Sequence, residues 1–266
     1  MTKTGTGILV FTFLLLFNSC NNSDDSNDKP LLPANSKQSL KNAIQQYPDS
    51  LLLVQNLIET YSDDGDYDSA LALTDIQIKK DSGNAYLWNM KATLLFENED
   101  TTHAIQALEH AANIYPLPEY LVALGTVYAE VKNPKSLRIA DELLKVNRVK
   151  SGKDAMFIKG LYYSYNNDKS KAISYFDSSL QMDYTYMFSY REKAIALYDL
   201  GKYEEALQVL KRAVTIQNNF DEGYYWMGKC YEKLNRKDDA IQSYQTALLY
   251  DKNFTEAKEA LEKIKN

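Results

Sequence analysis

Small and apolar side chains return with a period of 34 residues along most of the chain. Alanine holds one place in the period, at Ala70, Ala104, Ala172, Ala206 and Ala240, with spacings of 34, 68, 34 and 34. Twelve residues before each stands Ile58, Ala92, Gly160, Ala194 or Gly228. Nine before stands a large side chain, Tyr61, Leu95, Tyr163, Leu197 or Tyr231, and seven after stands Gln77, Ala111, Ser179, Ala213 or Ala247. Units therefore begin near 51, 85, 119, 153, 187 and 221. Within one unit Tyr224, Met227, Gly228 and Tyr231 lie at i, i+3, i+4 and i+7, which is one face of a helix. Ala240, Tyr244 and Ala247 form the matching stripe of a second helix. Small residues at Gly228 and Ala240 predict close approach of the two backbones. Leu200-Gly201-Lys202 and Leu234-Asn235-Arg236-Lys237 read as the turns between paired helices. Gly65 and Gly201 share one turn position and predict a left-handed residue that ends the first helix.

This period resembles the tetratricopeptide repeat. In the second unit Trp88, Ala92, Ala104, Leu108, Ala111 and Pro116 fit that family's signature positions. In the sixth, Gly228, Tyr231, Ala240, Tyr244 and Ala247 do. Leu40, Ala43, Ile44 and Pro48 match the second helix of a preceding half-repeat. The resemblance implies an all-α, right-handed superhelical solenoid over 36–266, made of about six 34-residue helix-turn-helix repeats. Residues from Thr255 onward, with Ala257, Leu261 and Ile264 facing inward, read as the C-terminal capping helix that such arrays need for solubility, and Thr255 reads as its N-cap. The third unit departs from the frame. Gly125 to Ala140 is fifteen residues instead of twelve, and the turn Lys132-Asn133-Pro134-Lys135-Ser136 absorbs the excess. Asn133 is expected to cap the next helix and Pro134 to open it. The frame recovers at 153, after Ser151-Gly152.

The start of the chain has a different pattern. Lys3 precedes a run from Ile8 to Phe17 that is apolar except at Thr12, too short to span a bilayer and of the length of a signal-peptide core. Phe17-Asn18-Ser19-Cys20 resembles a bacterial lipoprotein cleavage site, which implies a signal peptide at 1–19 and a lipid on the Cys20 sulfur. Residues 20–35 are polar until Leu31 and read as a tether between the lipid and the folded part. The acidic stretch after Cys20 also looks like the export signals of some surface lipoproteins. The expected location is the bacterial outer membrane, on the periplasmic or the exposed side, with the membrane reached through lipidated Cys20.

Composition narrows the chemistry. Lys and Arg number 30 against 36 Asp and Glu, a net charge of −6, and loss of residues 1–19 with Lys3 makes it 29 against 36, or −7. An acidic chain is a poor partner for nucleic acid, which selects clustered basic residues. With 2 Cys and 2 His there is no disulfide framework and little material for a metal or a His-based catalytic centre. His103 and His110 are spaced for helix pairing and not for metal binding. Asp63-Asp64-Gly65-Asp66-Tyr67-Asp68 lacks the ligand alternation of a calcium loop and coincides with an inter-helix turn. Cys230 falls between core positions and reads as a buried, inert thiol. No nucleophile is paired with a base, so no catalytic residue, no cofactor and no enzyme activity is expected. A catalytic site between helices would need clustered buried carboxylates with raised pKa values.

What remains is surface. In the resembled family the first helix of each unit lines a concave face, and a stripe offset from the packing stripe is exposed there. That stripe supplies Phe157, Tyr165, Phe188, Arg191, Tyr198, Tyr225 and Lys229 as candidate partner-binding residues, and Trp226, beside the stripe and partly facing the groove, joins them. Tyr is abundant, at 21 residues, and Tyr, Trp and Arg bury large area at low entropy cost and still hydrogen-bond. The expected function is a membrane-anchored scaffold or adaptor that holds a protein or peptide on its concave face. The alternative is a surface carbohydrate-binding lipoprotein, which would present uncovered Trp or Tyr rings to sugars.

Overall fold

The computed structural model describes residues 36–265. The expected signal peptide, Cys20 and the tether lie outside the described residues. Thirteen helices, and no strand among the described residues, follow in chain order. They are α1 (Lys37–Gln46), α2 (Leu51–Asp63), α3 (Tyr67–Lys80), α4 (Ala85–Glu97), α5 (Thr101–Ile114), α6 (Pro118–Glu130), α7 (Lys135–Tyr165), α8 (Lys169–Met182), α9 (Met187–Asp199), α10 (Tyr203–Ile216), α11 (Asp221–Lys233), α12 (Lys237–Tyr250) and α13 (Thr255–Lys265). They fall into two compact units, one ending at Ile114 and one starting at Tyr115. In each unit every helix packs on the next. Unit one holds the half-repeat α1 and the pairs α2–α3 and α4–α5. Unit two holds α6 to α13.

The turn inside each pair repeats one device. The second residue past the first helix is left-handed: Gly65 at φ +73° and Gly201 at +74°, as expected, but also Glu99 at 61°, Lys132 at 58°, Asn167 at 65° and Asn235 at 57°. A left-handed residue at this place lets the chain reverse while its next amide bonds back into the helix end, as Asp66 N–H does to Tyr61 C=O at 2.8 Å. The following position caps the second helix. Asp66, Asp100 and Asp168 accept from the backbone N–H of Ser69, His103 and Lys171 at 3.1–3.2 Å. Lys202 and Arg236 hold that place before α10 and α12 and offer no side-chain cap. There the first turn is acidic, with Glu204 and Glu205 or Asp238 and Asp239, which stabilises the positive end of the helix dipole instead.

The third 34-residue repeat is where the chain departs furthest from the period. Asn133 Oδ1 does accept from Lys135 N–H, at 3.0 Å. Pro134 already has helical angles, φ −65° and ψ −9°. The boundary with the next unit is not at Ser151-Gly152. Both are buried inside α7, and the break is Asn147, extended at φ −157° and ψ 90°, whose side chain caps the following turn at Lys150 N–H, 3.0 Å away. Gly152 is there for packing: a Cβ on it would lie 2.7 Å from the Met182 sulfur. The two halves of α7 fold back on each other, and Lys159 reaches Asp141 at 2.7 Å.

Ala70, Ala104, Ala172, Ala206 and Ala240 are all fully buried, which explains their regularity. The position twelve before them and the position four after them vary together in size. The two are Ile58 and Thr74, Ala92 and Leu108, Gly160 and Phe176, Ala194 and Leu210, Gly228 and Tyr244, all buried. A Cβ on Gly160 or Gly228 would come within 2.4 Å of the Phe176 or Tyr244 ring. Each pair thus fills a similar volume with a different division of it, as close packing demands. At the N-terminal end Leu40 is buried and Ile44 packs on the Val54–Ile58 cluster. At the C-terminal end Ala257 is buried, and Leu261 and Ile264 pack on the cluster around Tyr231 and Tyr244. Thr255 is not the N-cap of α13. It is the first helical residue, and its hydroxyl turns back to the Asn253 carbonyl at 3.3 Å.

Candidate functional site

In unit two the first helices touch one another directly, α7 with α9 and α9 with α11. On the other side a groove of about 650 Å³ separates α8 from α10, floored by Tyr190, Lys193 and Leu197 of α9. First helices in contact and second helices splayed make the side of α7, α9 and α11 the inner one. The predicted stripe lies here, and its residues sort into two groups.

Around the start of α9, Phe157 packs against Phe176, Phe188 and Tyr186, with ring centroids 6.0, 6.2 and 5.5 Å away. Phe157 is 2% exposed. It belongs to the core and not to an open surface, because it fills the layer beneath the Tyr186–Phe188 turn. Phe188 is exposed, and the Arg191 guanidinium lies 5.5 Å from its ring. Arg191 is 4% exposed, also against expectation. Its Nη1 donates to both carboxylate oxygens of Glu222 on α11, at 2.7 and 2.8 Å, and its Nε donates to Glu192 at 3.0 Å. This charge-assisted pair ties α9 to α11.

The network extends toward α6. Glu192 is buried, and burial raises its pKa against the opposing pull of Arg191. Burial also raises Glu130, with Glu192 adding repulsion. Tyr165 is half-buried, and its phenol is raised by burial and by the nearby Glu192 and Glu130 charges. For Arg191, burial opposes the charge, but Glu192 and Glu222 more than offset it and hold the guanidinium charged. Asp154 is raised by burial while a hydrogen bond from Tyr186 pulls the other way. These carboxylates cluster and their pKa values are raised, but Glu192 is ion-paired with Arg191 and not open to solvent.

The second group lies one helical turn and more further on. Tyr198 of α9 meets Trp226 of α11 edge-on at 5.5 Å, and Tyr225 meets Trp226 at 5.6 Å. All three are half-buried. Tyr203 supports Tyr198, and Phe254 and Tyr244 support Tyr225, at 5.1–5.8 Å. The Tyr244 hydroxyl in turn donates to Glu232. Burial pushes the Tyr198 phenol up to about 12, so it remains a neutral donor. Lys229, half-buried, stands one turn along α11 from Tyr225. Cys230 is fully buried, its thiol pushed up to about 12 by burial, with Glu204 adding to it. Such a thiol is unreactive.

The structure therefore brings Tyr198, Tyr225 and Trp226 together, places Lys229 beside them, and sets Phe188, Arg191 and Tyr165 apart around an ion network. Tyr186, Glu130 and Glu192 belong to the same face and were not among the expected residues. For Tyr186 a signal existed. Tyr186, Phe220 and Phe254 recur at a spacing of 34, just before α9, α11 and α13.

Three family profiles match the chain: a TPR repeat over 195–235, and tetratricopeptide repeats over 221–254 and 85–116. The chain belongs to the tetratricopeptide repeat family. Proteins of this family act as protein-interaction scaffolds. A TPR repeat-containing protein of Methanocaldococcus jannaschii is 27% identical over 128 residues, which are 48% of this chain and 37% of that protein. DnaJ homolog subfamily C member 7 of Mus musculus is 27% identical over 118 residues, 44% of this chain and 24% of that one. The chain thus spans well under half the length of these curated relatives. Among solved structures, a tetratricopeptide repeat protein from Parabacteroides merdae superposes with a TM-score of 0.70 at 21% identity, covering 86% of this chain and 91% of that chain. A thermophilic TPR protein of Thermus thermophilus gives 0.58 at 16% identity, covering 68% and 98%. At these identities the two structures establish the fold.

Proposed function

We propose that this tetratricopeptide repeat protein is an envelope scaffold, anchored through a lipid on Cys20, that holds a protein or peptide on the inner face of unit two. The observation that carries the reading is the Tyr198–Tyr225–Trp226 cluster. Its rings are half-exposed on the inner helices yet braced from behind by Tyr203, Tyr244 and Phe254. Braced aromatics lose little freedom when a partner covers them, and Lys229 adds a charge beside them. The proposed action is binding and not catalysis, because the buried Glu192 carboxylate is ion-paired with Arg191 and closed to a substrate. Support for a sugar site is weaker. Trp226 is hemmed in by two tyrosines, and Trp88 is stacked on His110 at 4.4 Å, so neither tryptophan is an open platform.

The test is a capture experiment from the native envelope with the full chain and with a Tyr198→Ala, Tyr225→Ala, Lys229→Glu variant. Arg191 is left intact because its loss would disturb the fold. A partner held by the parent and lost by the variant supports the reading. A partner held equally by both sinks it, as does capture of glycan with no protein.

A further inference from the structure

We propose that one edge of unit two, where second helices hand over to the next first helices, rests on an anionic lipid bilayer surface. Because successive helices run antiparallel, every such turn emerges at the same end of the stack. Here Tyr115, Val146, Val149, Tyr184, Leu249 and Tyr250 are exposed, Val149 to 95%. At the opposite edge, where first helices turn into second ones, the exposed large apolar residues among those described are Val131 and Leu200. That edge is otherwise rich in Asn, Asp, Lys and Arg, with Leu234 half-buried. The asymmetry is not required by folding, since both sets of turns are solvent-facing.

Charge identifies the occupant. The bases gather at one turn of this edge: residues 143–153 hold Lys145, Arg148, Lys150 and Lys153 and no acid, whereas Asp221 and Asp251 stand at the later turns, in a chain whose net charge is −6. Lys153 is paired with Asp183 at 2.6 Å, while Lys145, Arg148 and Lys150 are exposed at the Asn147 break beside the two valines. A basic tip with shallow apolar side chains matches anionic headgroups over the first layer of acyl chain. Tyrosines at Tyr115, Tyr184 and Tyr250 suit the same depth, with the ring in the apolar zone and the hydroxyl wet. Each basic residue near an anionic surface contributes about fivefold to partition. A protein partner of this edge would need a matching acidic groove, whereas a bilayer needs only a flat surface meeting several turns at once. The inference stands on these turns and is independent of the aromatic cluster and of Cys20.

The test uses the full chain in phosphatidylglycerol vesicles carrying a lipid-borne quencher. A fluorescent label on Val149→Cys is compared with one on Leu200→Cys, and the labelled parent supplies the Cys20 background, Cys230 being buried. Quenching at 149 should exceed that at 200 several-fold. It should fall to the level at 200 in the Lys145→Glu, Arg148→Glu, Lys150→Glu background, and in phosphatidylcholine. All these positions are exposed, so unchanged helical circular dichroism is expected throughout. Equal quenching at the two positions overturns the proposal, as does quenching at 149 that ignores the charge reversals. Concentration-dependent self-quenching without lipid quenching would assign the edge to a second copy and overturn it as well.

Discussion

In unit one the first full pair sets Ile58 on the first helix and Thr74 on the second; in unit two the last pair sets Gly228 and Tyr244 at the same two places. The helix pair is the same, and the division of volume is inverted. The inversion has a consequence for surface. A large ring laid on glycine, as Tyr244 is on Gly228, reaches across its helix to Tyr225 and Glu232 and so braces side chains on the inner face. A threonine at that place cannot; Thr74 instead bonds back to Ala70 C=O at 2.8 Å. Unit two also crosses its first helices with Arg191, whereas ion pairs of unit one such as Lys37–Asp64 and Lys91–Asp75 are more exposed. Unit one links its first helices as well, by Ser62 on α2 donating to Glu97 on α4 at 2.6 Å, but the buried guanidinium that couples packing to the inner face is in unit two.

The largest test of that difference is Arg191→Ala. It leaves Glu192 buried without its counter-charge and should cost about 3–5 kcal/mol. Residue-resolved hydrogen exchange should show protection lost in α9 to α11 and kept in α2 to α5. Loss spread evenly over both units would break the comparison. Arg191→Met with Glu192→Gln should cost distinctly less.

Next is Gly160→Ala, whose Cβ would meet the Phe176 ring at 2.4 Å. Overpacking of this kind costs about 1–3 kcal/mol. Adding Phe176→Leu recreates the Ala and Leu division used at Ala92 and Leu108 and should recover most of the loss in a chemical-denaturation cycle. Additive losses would refute volume exchange between the two positions.

A smaller effect concerns pH. Glu130, Glu192 and Asp154 have folded pKa values raised above ordinary carboxylates, chiefly by burial. Folding therefore favours their protonated forms. Their contribution is complete below a pH of about 4 and is lost as pH rises through the raised values. Asp183, lowered to about 2 by hydrogen bonds from Lys153 and Thr185, works the other way and is lost only in strong acid. Glu130→Gln should raise the melting temperature near neutrality by about 1–2 °C and flatten its decline with pH. No change in the slope would mean that Glu130 titrates normally.

The smallest is Glu99→Gly in unit one and Lys132→Gly in unit two. Both residues are left-handed, at φ 61° and 58°. Relief of that strain, less the backbone entropy of glycine, should stabilise each by about 0.5 kcal/mol. Equal gains would show that the turns, unlike the helix contacts, are alike in the two units.

Much of the fold was legible beforehand. The alanine frame placed five first helices within one residue of where they begin, because a position with no room for a side chain must repeat wherever two helices touch. Gly65 and Gly201 announced the turn, but Glu99 and Lys132 carried no such mark, since the helix pair imposes a left-handed residue whatever its type. Tyr198, Tyr225 and Trp226 were found by position, whereas Phe157 and Arg191 were placed on the surface and proved buried.

Local periodicity thus determined which residues form helices, how the helices pair and where a reversal falls, because those depend on neighbours within one unit. Which inner-face residues stay open to solvent was decided only in the tertiary structure. That depends on whether the next unit sends a Glu222 or a Tyr186 over them, and a stripe drawn on a single helix contains no term for its neighbour.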